Sequence, residues 1–293
     1  MRKDGSCVCA RGHRFDCARS GYVNLLLSNE KRSKDPGDDR LMVDARRAFL
    51  DAGWYAPLAD EACRLMRRAL SRLQRGSSAN GRALRVLDVG CGEGYYTERL
   101  RAALKEICGP EETVLLGVDI SRTALDKAGK RARAAGVPPD EVRYAAASAF
   151  RLPVADRSCD ALMNLFAPLC GPENRRVLTP GGLLLLAVPG RRHLFELKEI
   201  AYDHPYENEE RDDALEGFRL LEKRELSYPM ALRSGQDIRN LFRMTPYYYK
   251  TGRIGQARVE ALEELQVTAA FSLLLYERAD GRTPSPREVG FPR

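Results

Sequence analysis

The turn Gly90-Cys91-Gly92-Glu93-Gly94, set between an apolar run and a helical pattern, constrains this chain more than any other stretch. Residues 84–89 read as a short buried strand, and the residues after the turn read as a helix to about Lys105. Glycines at a strand's end let the backbone approach a ligand and turn sharply into a helix. The alternation then repeats. Residues 114–118 form a second strand, Ser121 caps a helix reaching about Ala135, and Gly136 and Pro138 end it. Residues 142–146, 161–165 and 183–188 are further strands, the last launched by Pro180-Gly181-Gly182. Such spacing means βαβ units: an α/β fold with a mostly parallel sheet, right-handed crossovers and helices on both faces. Beyond Arg191 the pattern predicts an acidic loop (Glu207, Glu209, Glu210, Asp212, Asp213) and two late strands near 225–232 and 267–276.

The turn also bears on the kind of ligand. A dinucleotide fingerprint would put its third glycine at position 95, which is Tyr95; the spacing here is Gly90-x-Gly92-x-Gly94. Asp88 sits inside the strand end, where a pyrophosphate would have to pass, so its charge suits a cationic ligand better. Asp119 ends the second strand, where a carboxylate can accept both hydroxyls of an adenosine ribose.

The combination of acid, glycines and second-strand acid resembles the S-adenosylmethionine (SAM) site of class I methyltransferases, a Rossmann-like fold. The resemblance implies that Asp88, Gly90, Gly92 and Glu93 approach the methionine portion and its sulfonium, and that Asp119 binds the ribose. It also implies that Ala147 and Ser148 flank the adenine and that residues 164–168 position the acceptor.

Two hundred and ninety-three residues suit one large unit plus a small one. Residues 1–40, dense in Cys, Gly and Arg at first and then polar around a Pro-Gly turn, read as a small module and linker. Residues 41–80 read as a helical connector, with Gly53 and Pro57 separating two helices and a Ser/Gly linker at 76–81. Residues 81–278 hold the large domain, and the Pro/Gly/Arg-rich tail at 279–293 reads as disordered. The longest apolar runs, 183–188 and 271–276, fall far short of the ~20 residues of a membrane span. Residues 1–16 lack the apolar segment of a secretory signal. Eight cysteines in so long a chain then suggest reduced thiols and a cytoplasmic protein.

Of the net charge of +7, residues 1–47 contribute +4, from eleven Lys/Arg against seven Asp/Glu. That points either to a polyanionic partner or to a solvated, accidental excess.

Several stretches are similar to one narrower family, the bacterial 23S rRNA guanine-N1 methyltransferases of the RlmA type. They are Cys9-x-x-x-His13-x-Phe15-Asp16, Gly21-Tyr22-Val23-Asn24-Leu25-Leu26, Lys31-Arg32-Ser33-Lys34-Asp35-Pro36-Gly37-Asp38, Ala45-Arg46-Arg47-Ala48-Phe49-Leu50-Asp51-Ala52-Gly53, the glycine turn with Tyr95-Tyr96-Thr97, Phe166-Ala167-Pro168, and Pro189-Gly190-x-Arg192-His193-Leu194. The resemblance implies an N-terminal zinc-ribbon-like module that recognises RNA and helps form a homodimer. The implied substrate is a hairpin loop of large-subunit rRNA. Tyr55 and His193 match positions that contact the methyl donor, and Cys9 and His13 match two zinc ligands. The family's earlier Cys-x-x-Cys knuckle has no counterpart, since only Cys7 precedes Cys9. A zinc held by Cys7, Cys9, His13 and Cys17 and a module without metal both stay open.

On this reading Lys31, Arg32, Lys34, Arg46 and Arg47 would bind phosphates. Phe166 or Tyr55 would support a guanine turned out of its stack, and His193 is a candidate base. The rival readings are a small-molecule SAM-dependent methyltransferase and a non-catalytic RNA-binding protein that keeps a donor pocket.

Overall fold

A computed structural model describes residues 2–3, 6–26, 36–76, 83–106, 113–210 and 212–279. Lys31, Arg32 and Lys34, most of the Ser/Gly linker and the tail beyond Ala279 lie outside the described residues. Strands β1 (Arg2–Lys3), β2 (Ser6–Val8) and β3 (Arg14–Asp16) form a small antiparallel sheet, followed by β4 (Val23–Asn24). Helices α1 (Arg40–Asp51) and α2 (Ala56–Gly76) come next. Then follow β5 (Leu84–Val89), α3 (Tyr95–Lys105), β6 (Thr113–Asp119), α4 (Arg122–Ala134), β7 (Val142–Ala146), β8 (Cys159–Leu165), α5 (Gly171–Val177) and β9 (Leu178–Pro189). The last part holds α6 (Phe195–Ala201), β10 (Phe218–Leu232), α7 (Gly235–Arg243), α8 (Pro246–Lys250), α9 (Arg253–Glu260) and β11 (Leu265–Arg278).

The large sheet runs β10-β11-β9-β8-β5-β6-β7-β4, with β4 to β9 parallel and β11 antiparallel to both its neighbours. The chain winds outward from β5 through β6 to β7, then returns to the other side of β5 for β8 and β9. That reversal opens a crevice at the carboxyl ends of β5 and β8, where ligands of open α/β sheets bind.

Strand periodicity divides the apolar side chains between two faces. Val86, Ala161, Met163, Leu183, Leu185, Phe271 and Leu273 join the larger core, together with residues of α1 to α4, α6 and α7. Leu87, Val89, Leu162, Leu184, Leu186 and Leu274 join a smaller one, to which α5 gives Val177. Helices therefore lie on both faces, but most of them crowd the first.

Three elements depart from the sequence expectation. β4 pairs in register with Ala145 and Ala146 of β7, so the main sheet begins upstream of the boundary expected at residue 40. The Ser20 carbonyl sits where a side chain on Gly129 of α4 would go, which seats this segment on the large domain. The connector helices pack Phe49, Leu50, Leu58, Leu65 and Leu70 into the main core instead of standing apart. Pro57 lies inside the first turn of α2, where its missing N–H costs nothing, and Gly53 alone makes the break. Between the two late strands, β10 and β11, the chain also forms α7 to α9, which the sequence pattern did not announce. No helix among the described residues is long and apolar enough to cross a membrane.

Candidate functional site

Five segments meet at the crevice: the β5–α3 turn, the ends of β6, β7 and β8, and the Gly190–Leu194 corner facing the α1–α2 turn. Gly90, Gly92 and Gly94 all have left-handed φ, of 76°, 55° and 85°. They serve different ends. A Cβ on Gly90 would lie 2.2 Å from that of Ala167, so the turn is locked against the β8 loop. A Cβ on Gly94 would crowd the Tyr144 hydroxyl and Ala128, so that glycine serves packing. A Cβ on Gly92 would meet nothing within 4 Å, so this residue borders open space.

The acids are held by the backbone and by each other's neighbours. Asp119 accepts from the Gly92 amide at 2.9 Å and from the Ser121 amide at 2.8 Å, tying the end of β6 to the turn. Each oxygen keeps a further lone pair, as two ribose hydroxyls would require. Burial raises its pKa against the pull of those amides. Asp88 is buried and accepts from the Thr97 hydroxyl at 2.5 Å. Burial pushes its pKa up to about 7 against that hydrogen bond, and the nearby Asp119 charge adds to the rise.

Glu93 Oε2 accepts from Arg131 of α4, from Nε at 2.9 Å and from a terminal nitrogen at 2.6 Å, and Arg131 also donates to Asp51 at 2.7 Å. Its Oε1 is buried without a partner, as are the hydroxyl of Tyr96, the second residue of α3, and the Trp54 indole nitrogen. Buried polar atoms are nearly always satisfied, so the Glu93 oxygen left over next to Gly92 suits a polar ligand. The donor set matches SAM: carboxylates for a cation and a ribose and an unpaired Glu93 oxygen for an amino-acid end, while Arg131 beside the turn is held by Glu93 and Asp51.

Tyr55 and His193, 138 residues apart, come together. The Tyr55 hydroxyl lies 3.3 Å from His193 Nε2, and the Ala270 amide donates to Nδ1 at 3.2 Å. With Nδ1 accepting, the proton sits on Nε2 and is donated to Tyr55. The phenol proton of Tyr55 is thereby left for a further acceptor. Burial drives the His193 pKa down to about 3, and the Lys198 charge adds to the effect. His193 is neutral, with both nitrogens engaged, and the expected role as a base is corrected on that ground. It does not lie on a solvated basic face either: Arg191 and Arg192 turn away to pair with Glu207.

Ser148 lies just past β7, where its hydroxyl accepts from the Phe150 amide at 3.2 Å, beside the end of β6. The β8 loop is pinned by buried Asn164, which accepts from the Ala167 amide and donates to the Pro168 carbonyl, both at 3.2 Å. Two expected phosphate ligands are engaged elsewhere. Arg46 pairs with Asp38 and bonds the Met244 carbonyl, and Arg47 pairs with Asp51 at 3.5 Å.

Sequence reasoning also missed Lys198, fully buried on α6 with its ammonium on the Tyr206 carbonyl and Asn208. The ammonium lies over the rings of Tyr206 and Tyr247. It fastens the 206–208 segment to the Gly190 corner, because Asn208 donates in turn to the Gly190 carbonyl.

In the small sheet the candidate metal ligands form two separate pairs, Cys9 with His13 at 3.5 Å and Cys7 with Cys17 at 3.1 Å. Among the described residues no three His, Cys, Asp or Glu gather as a metal site. A structural zinc takes four ligands, and these two pairs are the Cys and His donors that the described part of the module offers.

Residues 86–182 match a family described as a methyltransferase domain, and residues 1–34 match one described as RlmA, N-terminal, a zinc ribbon. The sheet order and the glycine turn are those of the class I methyltransferase fold. The N-terminal match adds a likeness to the RlmA type. A putative 23S rRNA (guanine-N(1)-)-methyltransferase of Micromonospora griseorubida is 37% identical over 193 residues, 64% of this chain and 60% of the relative. The 23S rRNA (guanine(748)-N(1))-methyltransferase of Streptomyces fradiae is 37% identical over 194 residues, 66% of this chain and 61% of the relative. The chain thus spans about three fifths of the length of those two relatives. The putative 23S rRNA (guanine-N(1)-)-methyltransferase YxjB of Bacillus subtilis is 27% identical over 281 residues, 92% of this chain and 90% of the relative.

Proposed function

We propose that this protein transfers the methyl group of SAM to N1 of a guanine in a hairpin loop of large-subunit rRNA. The observation that carries the reading is the glycine turn, whose Gly92 borders open space beside two carboxylates and buried orphan polar atoms. The acceptor class is that of the similar 23S rRNA (guanine-N1) methyltransferases.

SAM supplies, when bound, an electrophilic methyl on sulfonium for in-line displacement by the guanine nitrogen. The work left to the chain is alignment and exclusion of water. Asp119, fixed by two amides, holds a ribose, and Asp88 offers negative charge beneath the turn. Glu93 and Tyr96 present the orphan atoms to the amino-acid end. His193 holds Tyr55, whose phenol proton is left for an acceptor on bound ligand. Because His193 has no free lone pair, the N1 proton of guanine does not pass to it.

The same reading makes the N-terminal region the RNA-recognition part, gives a homodimer as the assembly and puts the work in the cytoplasm. The test is methyl transfer from labelled SAM to a large-subunit rRNA hairpin. Incorporation into guanine supports the reading. Incorporation only into small molecules favours the small-molecule enzyme, and RNA binding without transfer favours the non-catalytic protein.

A further inference from the structure

Lys198 of α6 has no exposed surface, and an ammonium kept from water costs free energy unless its donors are met. Its partners here are neutral. It donates to the Tyr206 carbonyl at 3.0 Å and to the Asn208 side-chain oxygen at 2.7 Å, and it lies 4.5 Å and 5.0 Å from the ring centroids of Tyr206 and Tyr247. The bond to Asn208 decides which way that amide faces. A lysine can only donate, so the amide turns its oxygen to Lys198 and its nitrogen to the Gly190 carbonyl, at 2.8 Å. The same carbonyl accepts from the His193 amide at 3.1 Å. Gly190 donates in turn to the Ala270 carbonyl at 2.9 Å, and the Ala270 amide donates to the His193 ring. One carbonyl thus joins the buried lysine to the corner that carries His193.

That corner has to be held. Leu194, fully buried, has a left-handed φ of 53°, which a non-glycine residue keeps only where its surroundings impose it. Its amide donates to the Thr268 carbonyl at 2.9 Å, and its carbonyl accepts from the Lys198 amide at 3.2 Å. A second fastening runs along the surface, where Glu207 pairs with both Arg191 and Arg192. Those arginine side chains are 64% and 58% exposed, and ion pairs so placed contribute little.

We infer that Lys198 is a positioning residue of the donor site: by orienting the Asn208 amide it fixes Gly190, and through Gly190 the His193 ring that holds Tyr55 for SAM. The inference rests on the proposed function and deepens it, adding to the donor site a residue that acts through others. Without the ammonium nothing obliges the amide to keep its nitrogen on the Gly190 carbonyl. Turned over, it sets oxygen against oxygen there, and the corner relaxes away from Tyr55. The exposed pairs of Glu207 do not replace the link, because they hold arginine side chains and leave the Gly190 carbonyl untouched.

The test is titration calorimetry with SAM on the full chain carrying Asn208→Asp, Lys198→Met or Glu207→Gln. Asn208→Asp keeps an oxygen for Lys198 and takes away the N–H that Gly190 accepts, so it separates the link from the burial of the lysine. It is expected to melt near the wild-type temperature and to bind SAM about three- to tenfold more weakly, the range of one neutral hydrogen bond. KM for SAM should rise by the same factor while kcat at saturating SAM stays within about twofold, as when uniform binding is lost. Lys198→Met should lose at least as much affinity, and Glu207→Gln should bind SAM like wild type. Added to His193→Gln, Asn208→Asp should weaken SAM binding no further, because both break one chain of hydrogen bonds. Wild-type affinity in Asn208→Asp overturns the inference while the proposed function stands. So does a loss that adds in full to that of His193→Gln, which marks a general structural defect. If Lys198→Met does not fold, Asn208→Asp decides alone. A wild-type protein that does not bind SAM overturns the proposed function, and the positioning role with it.

Discussion

Replacing Gly92 and Gly90 by alanine, one at a time, separates ligand space from packing within a single turn. Both residues have left-handed φ, so an alanine at either pays about 1–2 kcal/mol of backbone strain. At Gly92 nothing is added, since the new Cβ meets no protein atom within 4 Å. At Gly90 the Cβ comes to 2.2 Å from Ala167 and forces the β8 loop to move, adding an overpacking cost of about 1–3 kcal/mol. With roughly 2–4 °C of melting temperature per kcal/mol for a large domain, Gly92→Ala should melt a few degrees low and Gly90→Ala clearly lower. Donor binding should rank differently. The methyl at position 92 enters the space assigned to SAM and should weaken binding at least about tenfold, a difference of roughly 1.4 kcal/mol. Thermal melts and titration calorimetry with SAM on both variants give the two rankings. If Gly92→Ala bound SAM like wild type while melting as low as Gly90→Ala, the open space beside Gly92 would not be the donor's.

Three further outcomes are expected. The raised pKa of Asp88 means that a cation binding near it favours the ionised form, so SAM affinity should rise as pH passes upward through about 7 and level off above it. The uncharged sulfur of the demethylated product should show a shallower rise, and equal slopes for both ligands would refute a role for Asp88 at the sulfonium. The linked stability has the opposite sign, for the favoured protonated carboxyl is fully present below about 3.8 and its contribution is lost as pH climbs through about 7. His193→Gln and Tyr55→Phe should each weaken SAM binding, and the double variant should be no worse than either, because both break one hydrogen-bonded unit. The pH–rate profile between 5 and 8 should keep its shape in His193→Gln; loss of a limb near 6.5 would restore the histidine as a base. Charge reversal of Lys31, Arg32 and Lys34 to Glu should weaken RNA binding and lower the salt slope by about one unit per lost phosphate contact. An unchanged slope would remove that segment from the interface.

What the sequence disclosed follows from the range of each signal. Strands β5 to β9 are short apolar runs between glycine, proline and capping residues, so both their existence and the turn after β5 were legible. The assignment of Asp119 needed only its place at a strand end. Other features are non-local. Nothing near Arg46 announces that it bonds the Met244 carbonyl, or near Glu93 that Arg131 takes one of its oxygens. Local charge therefore suggested a phosphate ligand where the fold built an internal ion pair. Lys198 reads as a surface residue in sequence and is buried because two tyrosine rings, a carbonyl and an amide surround its ammonium. Helices α6 to α9 span only seven, nine, five and eight residues, too few turns for a helical period to stand out. β4 is two residues long and exists because β7 offers an open edge. The resemblance named Tyr55 and His193 as a pair of donor contacts. The tautomer that excludes the histidine as a base came only with the Ala270 amide, from the antiparallel strand β11.

The central claim is tested most directly by mass-spectrometric mapping of methylated guanines in 23S rRNA from cells with this protein, without it, and with Gly92→Arg in its place. The expected result is a single N1-methylguanine in one hairpin loop, present with the wild-type chain and absent in the other two. An identical guanine methylation map in all three would contradict it.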